Sequence, residues 1–180
     1  MAQSQVKPAI DSSEKVRGRP RRWWHWGRDL VLVLVVVSAV QWWQSRGMVA
    51  GQAPVLAGLL VDGQPYQLDY RAGPMLVHFW ASWCPVCRLE QGNIDAIADD
   101  FPVITVATTS GAANEVSAYL REHELSMPVL MDESGEIASR WGLAGVPATF
   151  IVGRDGQILY SGMGYSTEIG LRVRMWWASL

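Results

Sequence analysis

Residues 75–80, MLVHFW, form a nearly unbroken apolar run bounded by Gly73-Pro74. After three intervening residues comes Cys84-Pro85-Val86-Cys87, and then a helical pattern. A strand without apolar/polar alternation has to be covered on both faces, so it belongs in the centre of a sheet flanked by helices. The Cys-x-x-Cys therefore falls where a buried strand ends and a helix begins. These are the only two cysteines, which leaves neither a disulfide framework nor a four-cysteine zinc site.

The chain has 180 residues, 49% of them hydrophobic and 18% charged, enough for one ordinary domain and too few for a multidomain machine. Its net charge of −2 conceals a division. Residues 1–46 hold eight basic and three acidic residues, a net +5, which leaves −7 for the rest. No basic field recommends nucleic acid as a partner. The asymmetry instead joins a basic, membrane-facing arm to an acidic soluble domain.

Leu30 to Ser45 are sixteen residues without a formal charge. A helix of that length reaches roughly 24 Å, short of a hydrocarbon core of roughly 30 Å. Trp23, Trp24 and Trp26 before the run, and Trp42 and Trp43 after it, suit the two interfaces, and Arg28 can snorkel. Residues 23–46 thus read as a transmembrane anchor, preceded by a cytoplasmic basic tail (1–22) and followed by a linker (47–53). With the Arg/Lys cluster on the amino-terminal side, the positive-inside rule puts the domain at 54–180 outside the inner membrane, in the periplasm of a bacterial chain. A cleaved signal peptide and a buried core helix are the alternatives. Small-x-small sites occur at Gly51-Gln52-Ala53 and Val37-Ser38-Ala39, the first followed by an unfavourable Pro54.

In the domain, Val55–Val61 and Tyr66–Tyr70 flank Asp62-Gly63-Gln64-Pro65 and read as a hairpin. Beyond the cysteines a helix extends to Phe101, with a bend expected at Gly92, and Pro102 closes it. Val103–Ala107, Pro128–Met131, Ala148–Val152 and Ile158–Tyr160 read as strands, the last two joined by a turn at Arg154-Asp155-Gly156-Gln157. Ala113–Leu125, Glu136–Trp141 and 165–178 read as helices. Strands alternating with helices, then a terminal hairpin, give an α/β fold: a mixed central sheet covered by helices.

At a strand-to-helix junction the unpaired N–H groups and the helix dipole favour the thiolate of the first cysteine, which makes Cys84 the candidate nucleophile. Pro85 fits the first helical turn, where no N–H bond is needed. Cys87, one turn on, is placed to close a disulfide with Cys84 and should be the more buried of the two. Trp83 would shield the sulfur and offer an apolar docking surface. Two inert core cysteines and a metal site are the competing readings. A closed zinc site needs two further ligands, and His78 and His123 have no close-spaced partner while His25 lies in the arm. Two thiolates do suit soft Cu(I), so a copper metallochaperone stays open as a second function. Neither a cofactor nor a resident metal is expected.

FWASWCPVCRLE (79–90), together with WGLAGVPATFIVGRDG (141–156), resembles the thioredoxin superfamily. The hairpin and anchor make it similar to the TlpA-like branch of periplasmic thiol:disulfide oxidoreductases. Within that branch the Pro-Val dipeptide is most similar to ScsD-type proteins, associated with suppression of copper sensitivity, and the DsbE/ResA proteins are near relatives. The resemblance covers roughly residues 53–178 and implies a thioredoxin-like fold with an N-terminal β-hairpin. It makes Cys84 the attacking and Cys87 the resolving cysteine of a redox-active Cys84–Cys87 disulfide. It implies a cis Val146–Pro147 bond facing the dithiol, with the Val146 backbone open to an extended substrate; an ordinary trans turn proline is the alternative.

Glu90 matches an acidic position implicated in thiol pKa control and proton transfer, although a helix glutamate by itself reads as a solvated charge. His78 occupies the buried-strand position six residues before Cys84, where thioredoxins carry a proton-transferring aspartate. A satisfied core histidine is the plainer reading; an imidazole able to take the Cys87 proton is the functional one. The partners implied are protein thiol and disulfide substrates and a membrane thiol donor of the DsbD/ScsB kind. Val86 brings neither charge nor hydrogen bond to the thiolate, which favours a reductant over a disulfide donor.

Overall fold

The computed structural model describes residues 27–36, 39 and 47–180. Residues 27–36 form a helix, α1, with exposed Leu and Val side chains. No helix among the described residues is long and apolar enough to cross a membrane. The tail at 1–22 and most of the anchor expected at 23–46 lie outside the described residues.

From Gly47 onward the chain forms one compact unit. Residues 47–53, expected as a linker, are bonded to the domain: Met48 and Ala53 are buried, and the Val49 amide donates to the Trp141 carbonyl at 3.2 Å. Gly142, at φ +70°, permits this approach, because a Cβ there would collide with the Gly47 carbonyl.

The hairpin is present with shorter strands than expected, β1 (Ala57–Leu59) and β2 (Pro65–Gln67), paired antiparallel. Tyr70, expected at a strand end, begins a 3-10 turn whose Asp69 cap accepts from the Arg71 amide. Then follow β3 (Met75–Trp80), α2 (Pro85–Ala98), β4 (Val103–Thr108), α3 (Ala113–Glu122), β5 (Val129–Asp132), α4 (Glu136–Arg140), β6 (Ala148–Val152), β7 (Ile158–Met163) and α5 (Glu168–Ala178). The main sheet has the order β5-β4-β3-β6-β7. β3 and β4 run parallel, as do β4 and β5, whereas β6 is antiparallel to both β3 and β7. The mixed, helix-covered α/β sheet expected from the sequence is therefore present, with MLVHFW in its middle.

Two cores form on the two faces. Leu76 and Trp80 point to the side of Ile94 and Ile97 on α2, Val116 on α3, and Leu171 and Met175 on α5. Val77 and Phe79 point to the other, with Leu56, Ile137, Trp141 and Phe150. There Phe150 stands edge-on to Trp141, ring centroids 4.8 Å apart. Each large side chain so buried contributes about 1.5–3 kcal/mol from its apolar area.

The helices differ from expectation at several points, and α2 ends at Ala98 rather than Phe101. α2 runs unbroken through Gly92, because Ile94 and Ile97 hold its far half on the sheet whatever the local propensity. α3 stops at Glu122, and Glu124 turns left-handed at φ 54°. α5 begins at Glu168, where Thr167 caps it by accepting from the Gly170 amide at 3.2 Å.

Candidate active site

β3 delivers the chain to the carboxyl edge of the sheet, and Ala81–Trp83 turn it into α2. Cys84 is the N-cap: it is extended at φ −87°, ψ 114°, and its Sγ accepts the Cys87 amide at 3.3 Å. A sulfur in that position satisfies one of the orphan donors of the first turn and sits at the positive end of the dipole. Pro85 follows at the first helical position, as the sequence implied. Both cysteines are free; Cys84 retains 4% of its surface and Cys87 none. The reachable sulfur is thus the one on the cap.

The loop after β4 holds this turn in place. The Ser82 amide donates to Ser110 Oγ at 3.0 Å, Ser110 Oγ donates to the Thr108 carbonyl at 3.0 Å, and Trp83 Nε1 donates to the Thr109 carbonyl at 3.0 Å. Sequence reasoning did not find Ser82, Thr109 or Ser110, which are small polar loop residues with no motif of their own. Trp83 lies against this loop with 62% of its surface exposed. Opposite stands the segment before β6. Its Val146–Pro147 bond is cis, and the Cys84 thiol donates to the Val146 carbonyl at 3.7 Å. A groove of about 220 Å³ passes Trp83, Thr109, Ser139, Leu143 and Val146.

Beneath the sulfurs lie two buried ionisable side chains. Glu90 falls on the inner face of α2 with Cys87, Ile94 and Ile97, and its side chain is wholly buried. Its Oε2 accepts the Ser166 amide at 2.6 Å, and its Oε1 lies 3.5 Å from His78 Nε2. His78 Nδ1 is 3.0 Å from Thr149 Oγ1 on β6. Burial pushes the Glu90 carboxyl up to about 7, against the pull of the Ser166 amide, and pushes the His78 imidazole down to about 3. At neutral pH the imidazole is therefore uncharged. Cys87 is pushed well above the ordinary thiol range, first by burial, then by its interaction with Cys84, with the Glu90 charge adding to the rise.

These positions sort the expected residues. Cys84, Cys87, Trp83, Val146 and Pro147 converge around the sulfur. Glu90 is buried, not a surface charge; it lies three residues after Cys87 and four and seven before Ile94 and Ile97, which is the sequence signal for that. The expectation that His78 takes the Cys87 proton meets a different geometry: neither ring nitrogen is hydrogen-bonded to Cys87, and they face Thr149 and Glu90. Thr149 and Ser166 went unnoticed in the sequence. Among the described residues no cluster of three or more His, Cys, Asp or Glu is placed to hold a metal ion.

Comparison with known proteins agrees with this geometry. The Redoxin family model matches residues 48–172. The chain is 20% identical over 156 residues to sporulation thiol-disulfide oxidoreductase A of Bacillus subtilis, covering 81% of this chain and 94% of that one. It is 32% identical over 123 residues to the thiol:disulfide interchange protein DsbE homolog of Paracoccus denitrificans, covering 65% and 67%. In fold it is similar to a thiol:disulfide interchange protein of the thioredoxin family from Chlorobium tepidum, with a TM-score of 0.64, 22% identity, and coverage of 73% and 98%. The chain belongs to the Redoxin family and is a thioredoxin-like redox enzyme, among relatives named thiol-disulfide oxidoreductases.

Proposed function

We propose that this protein exchanges a Cys84/Cys87 dithiol with disulfides of protein substrates in the periplasm, acting as a reductant from a membrane anchor. The observation that carries the reading is the cap: Cys84 Sγ, on the first turn of α2, receives the Cys87 amide at 3.3 Å and faces the Val146 carbonyl at 3.7 Å. The Cys84 thiolate attacks one sulfur of the substrate disulfide, forming a mixed disulfide and expelling one substrate thiolate. Cys87 gives up its proton and attacks Cys84 Sγ, which releases the second substrate thiolate and leaves the Cys84–Cys87 disulfide. Two electrons pass to the substrate. Cys87 feels the charge of the buried Glu90 carboxylate, and we assign Glu90 as the acceptor for the Cys87 proton. Trp83 and Val146 line the path of an extended substrate chain.

The apolar Val86 supports the reducing direction, and a membrane dithiol donor of the DsbD/ScsB kind would restore the dithiol. Equilibration with glutathione should place the couple below about −180 mV, the value of protein disulfide isomerase; a higher potential would reverse the direction. A Cys87→Ser variant expressed in the periplasm should accumulate mixed disulfides with its clients through Cys84. Tight stoichiometric Cu(I) uptake without insulin reduction would support the metallochaperone instead. The anchor and its orientation rest on the uncharged run and the basic tail; fractionation should find the full-length chain in the inner membrane, with its domain open to protease only from the periplasmic side.

A further inference from the structure

The central strands carry a polar row through the middle of the sheet. His78 on β3 pairs in register with Thr105 on β4 and with Thr149 on β6. All three are fully buried. Thr105 is already satisfied: its hydroxyl donates to the Pro128 carbonyl at 2.9 Å and accepts Trp80 Nε1 at 3.2 Å. His78 therefore has Thr149 on one nitrogen and Glu90 on the other. Glu90 Oε2 is engaged by the Ser166 amide at 2.6 Å, while Oε1 and His78 Nε2, each without a hydrogen-bond partner, face one another 3.5 Å apart.

A hydrogen count follows from this isolation. A neutral imidazole carries one N–H, and a buried polar atom without a partner costs about 1–3 kcal/mol. When Glu90 is ionised, Oε1 needs a donor: Nε2 carries the hydrogen, and Nδ1 accepts from the Thr149 hydroxyl. When Glu90 is protonated on Oε1, the only acceptor in reach is Nε2, so the ring hydrogen must be on Nδ1, donating to Thr149 Oγ1. The hydroxyl can play either part by rotating.

We propose that His78 is a positioning residue for Glu90 that exchanges tautomers as the carboxyl gains or loses its proton. In the change one proton joins the pair. Glu90 Oε1 gains a hydrogen, the single ring hydrogen shifts from Nε2 to Nδ1, and the imidazole is neutral before and after. His78 thereby serves the carboxylate and the carboxylic acid equally well from one ring position, and keeps Glu90 titratable under Cys87. The inference rests on the reading of Glu90 as the proton acceptor of the dithiol.

The groups facing this pair are few. α2 brings Cys87, β6 the uncharged Thr149, and the segment before α5 the Ser166 amide. Glu168 and Arg172 of α5 are bonded to one another, and Arg172 also to Asp100. From β4 comes only the satisfied Thr105.

Nitrogen NMR of the full-length chain tests the proposal. The sequence has three histidines; replacing His25 and His123 by Gln leaves one ring to observe. The expected result is a neutral His78 ring from pH 5 to 9 whose hydrogen moves from Nδ1 to Nε2 as pH rises through the Glu90 titration, and a single pH-independent tautomer in Glu90→Gln. One unchanging tautomer in the unsubstituted site, an imidazolium signal above pH 5, or a tautomer change that survives in Glu90→Gln would overturn it. The spectra do not depend on turnover, so insulin reduction measured alongside shows separately whether the dithiol reading stands.

Discussion

The Cys84 sulfur lies 3.7 Å from the Val146 carbonyl oxygen, so the reachable thiol of α2 is hydrogen-bonded to the backbone just before Pro147. Two segments sixty-two residues apart in sequence thus meet at one atom. A substrate chain laid beside the sulfur takes over this carbonyl, which is why the walls of the groove matter for binding more than for chemistry.

Trp83 forms one of those walls with most of its ring exposed. Trp83→Ala should raise KM for a protein disulfide severalfold while kcat stays within about twofold, because the ring supplies contact area and not reacting atoms. Stability should fall by no more than about 1 kcal/mol, the loss of its hydrogen bond to the Thr109 carbonyl. Steady-state insulin reduction and urea unfolding measure the two.

Glu90 and His78 give stability a specific pH dependence. Glu90, raised to about 7 in the fold, binds its proton there while the unfolded carboxyl, near 4.3, has lost it; this makes stability fall as pH rises between those values. His78, lowered to about 3, stays neutral in the fold while the unfolded imidazole, near 6.5, is charged; this makes stability rise with pH between those values. From about pH 4.5 to 6.5 the two slopes oppose and the contribution of the pair is nearly flat. Glu90→Gln removes one slope, so the variant should gain stability with pH across that window by up to about 1.4 kcal/mol per unit. Urea midpoints at pH 4.5, 5.5 and 6.5 test the sign.

Gly92 sits exposed in the middle of α2, and a Cβ there meets nothing within 4 Å. Gly92→Ala should stabilise the protein by about 0.5–1 kcal/mol through helix propensity, with turnover unchanged. Thermal unfolding and insulin reduction on the same sample check both halves.

Asp132 is buried, and its carboxylate accepts the amides of Ile137 at 2.9 Å and Ala138 at 3.0 Å and the Thr108 hydroxyl at 2.9 Å. It fastens the first turn of α4 to the end of β4, beside the groove. Asp132→Ala orphans all three donors and should cost about 2 kcal/mol or more in urea unfolding, with Asp132→Asn milder because its side-chain oxygen can still accept.

The central strand and the cap could be read directly. Five apolar residues and one histidine leading to Cys-Pro-x-Cys fix both a strand covered on two faces and the sulfur at a helix start. Local signals also located β4, β5 and β6, because each begins as a compact apolar run between turn residues. The ends were less legible. Glu124 takes a left-handed backbone that nothing in its type announces, and Tyr70 leaves the hairpin for a 3-10 turn capped by Asp69. Glu90 could have been placed inside from its spacing to Ile94 and Ile97. Its pairing with His78 could not, because the two come from different elements and meet only when α2 packs on β3. Thr149 and Ser166 are hidden for the same reason: their roles come from strand register and from the approach to α5.

The most direct measurement is a redox titration of the purified chain in glutathione buffers, with the cysteines mapped by mass spectrometry and insulin reduction followed in the wild type and Cys84→Ser. The account predicts one Cys84–Cys87 disulfide that forms and opens as a two-electron couple, and turnover abolished in the variant. A pair that never closes under mild oxidant, or turnover that survives without Cys84, would contradict it.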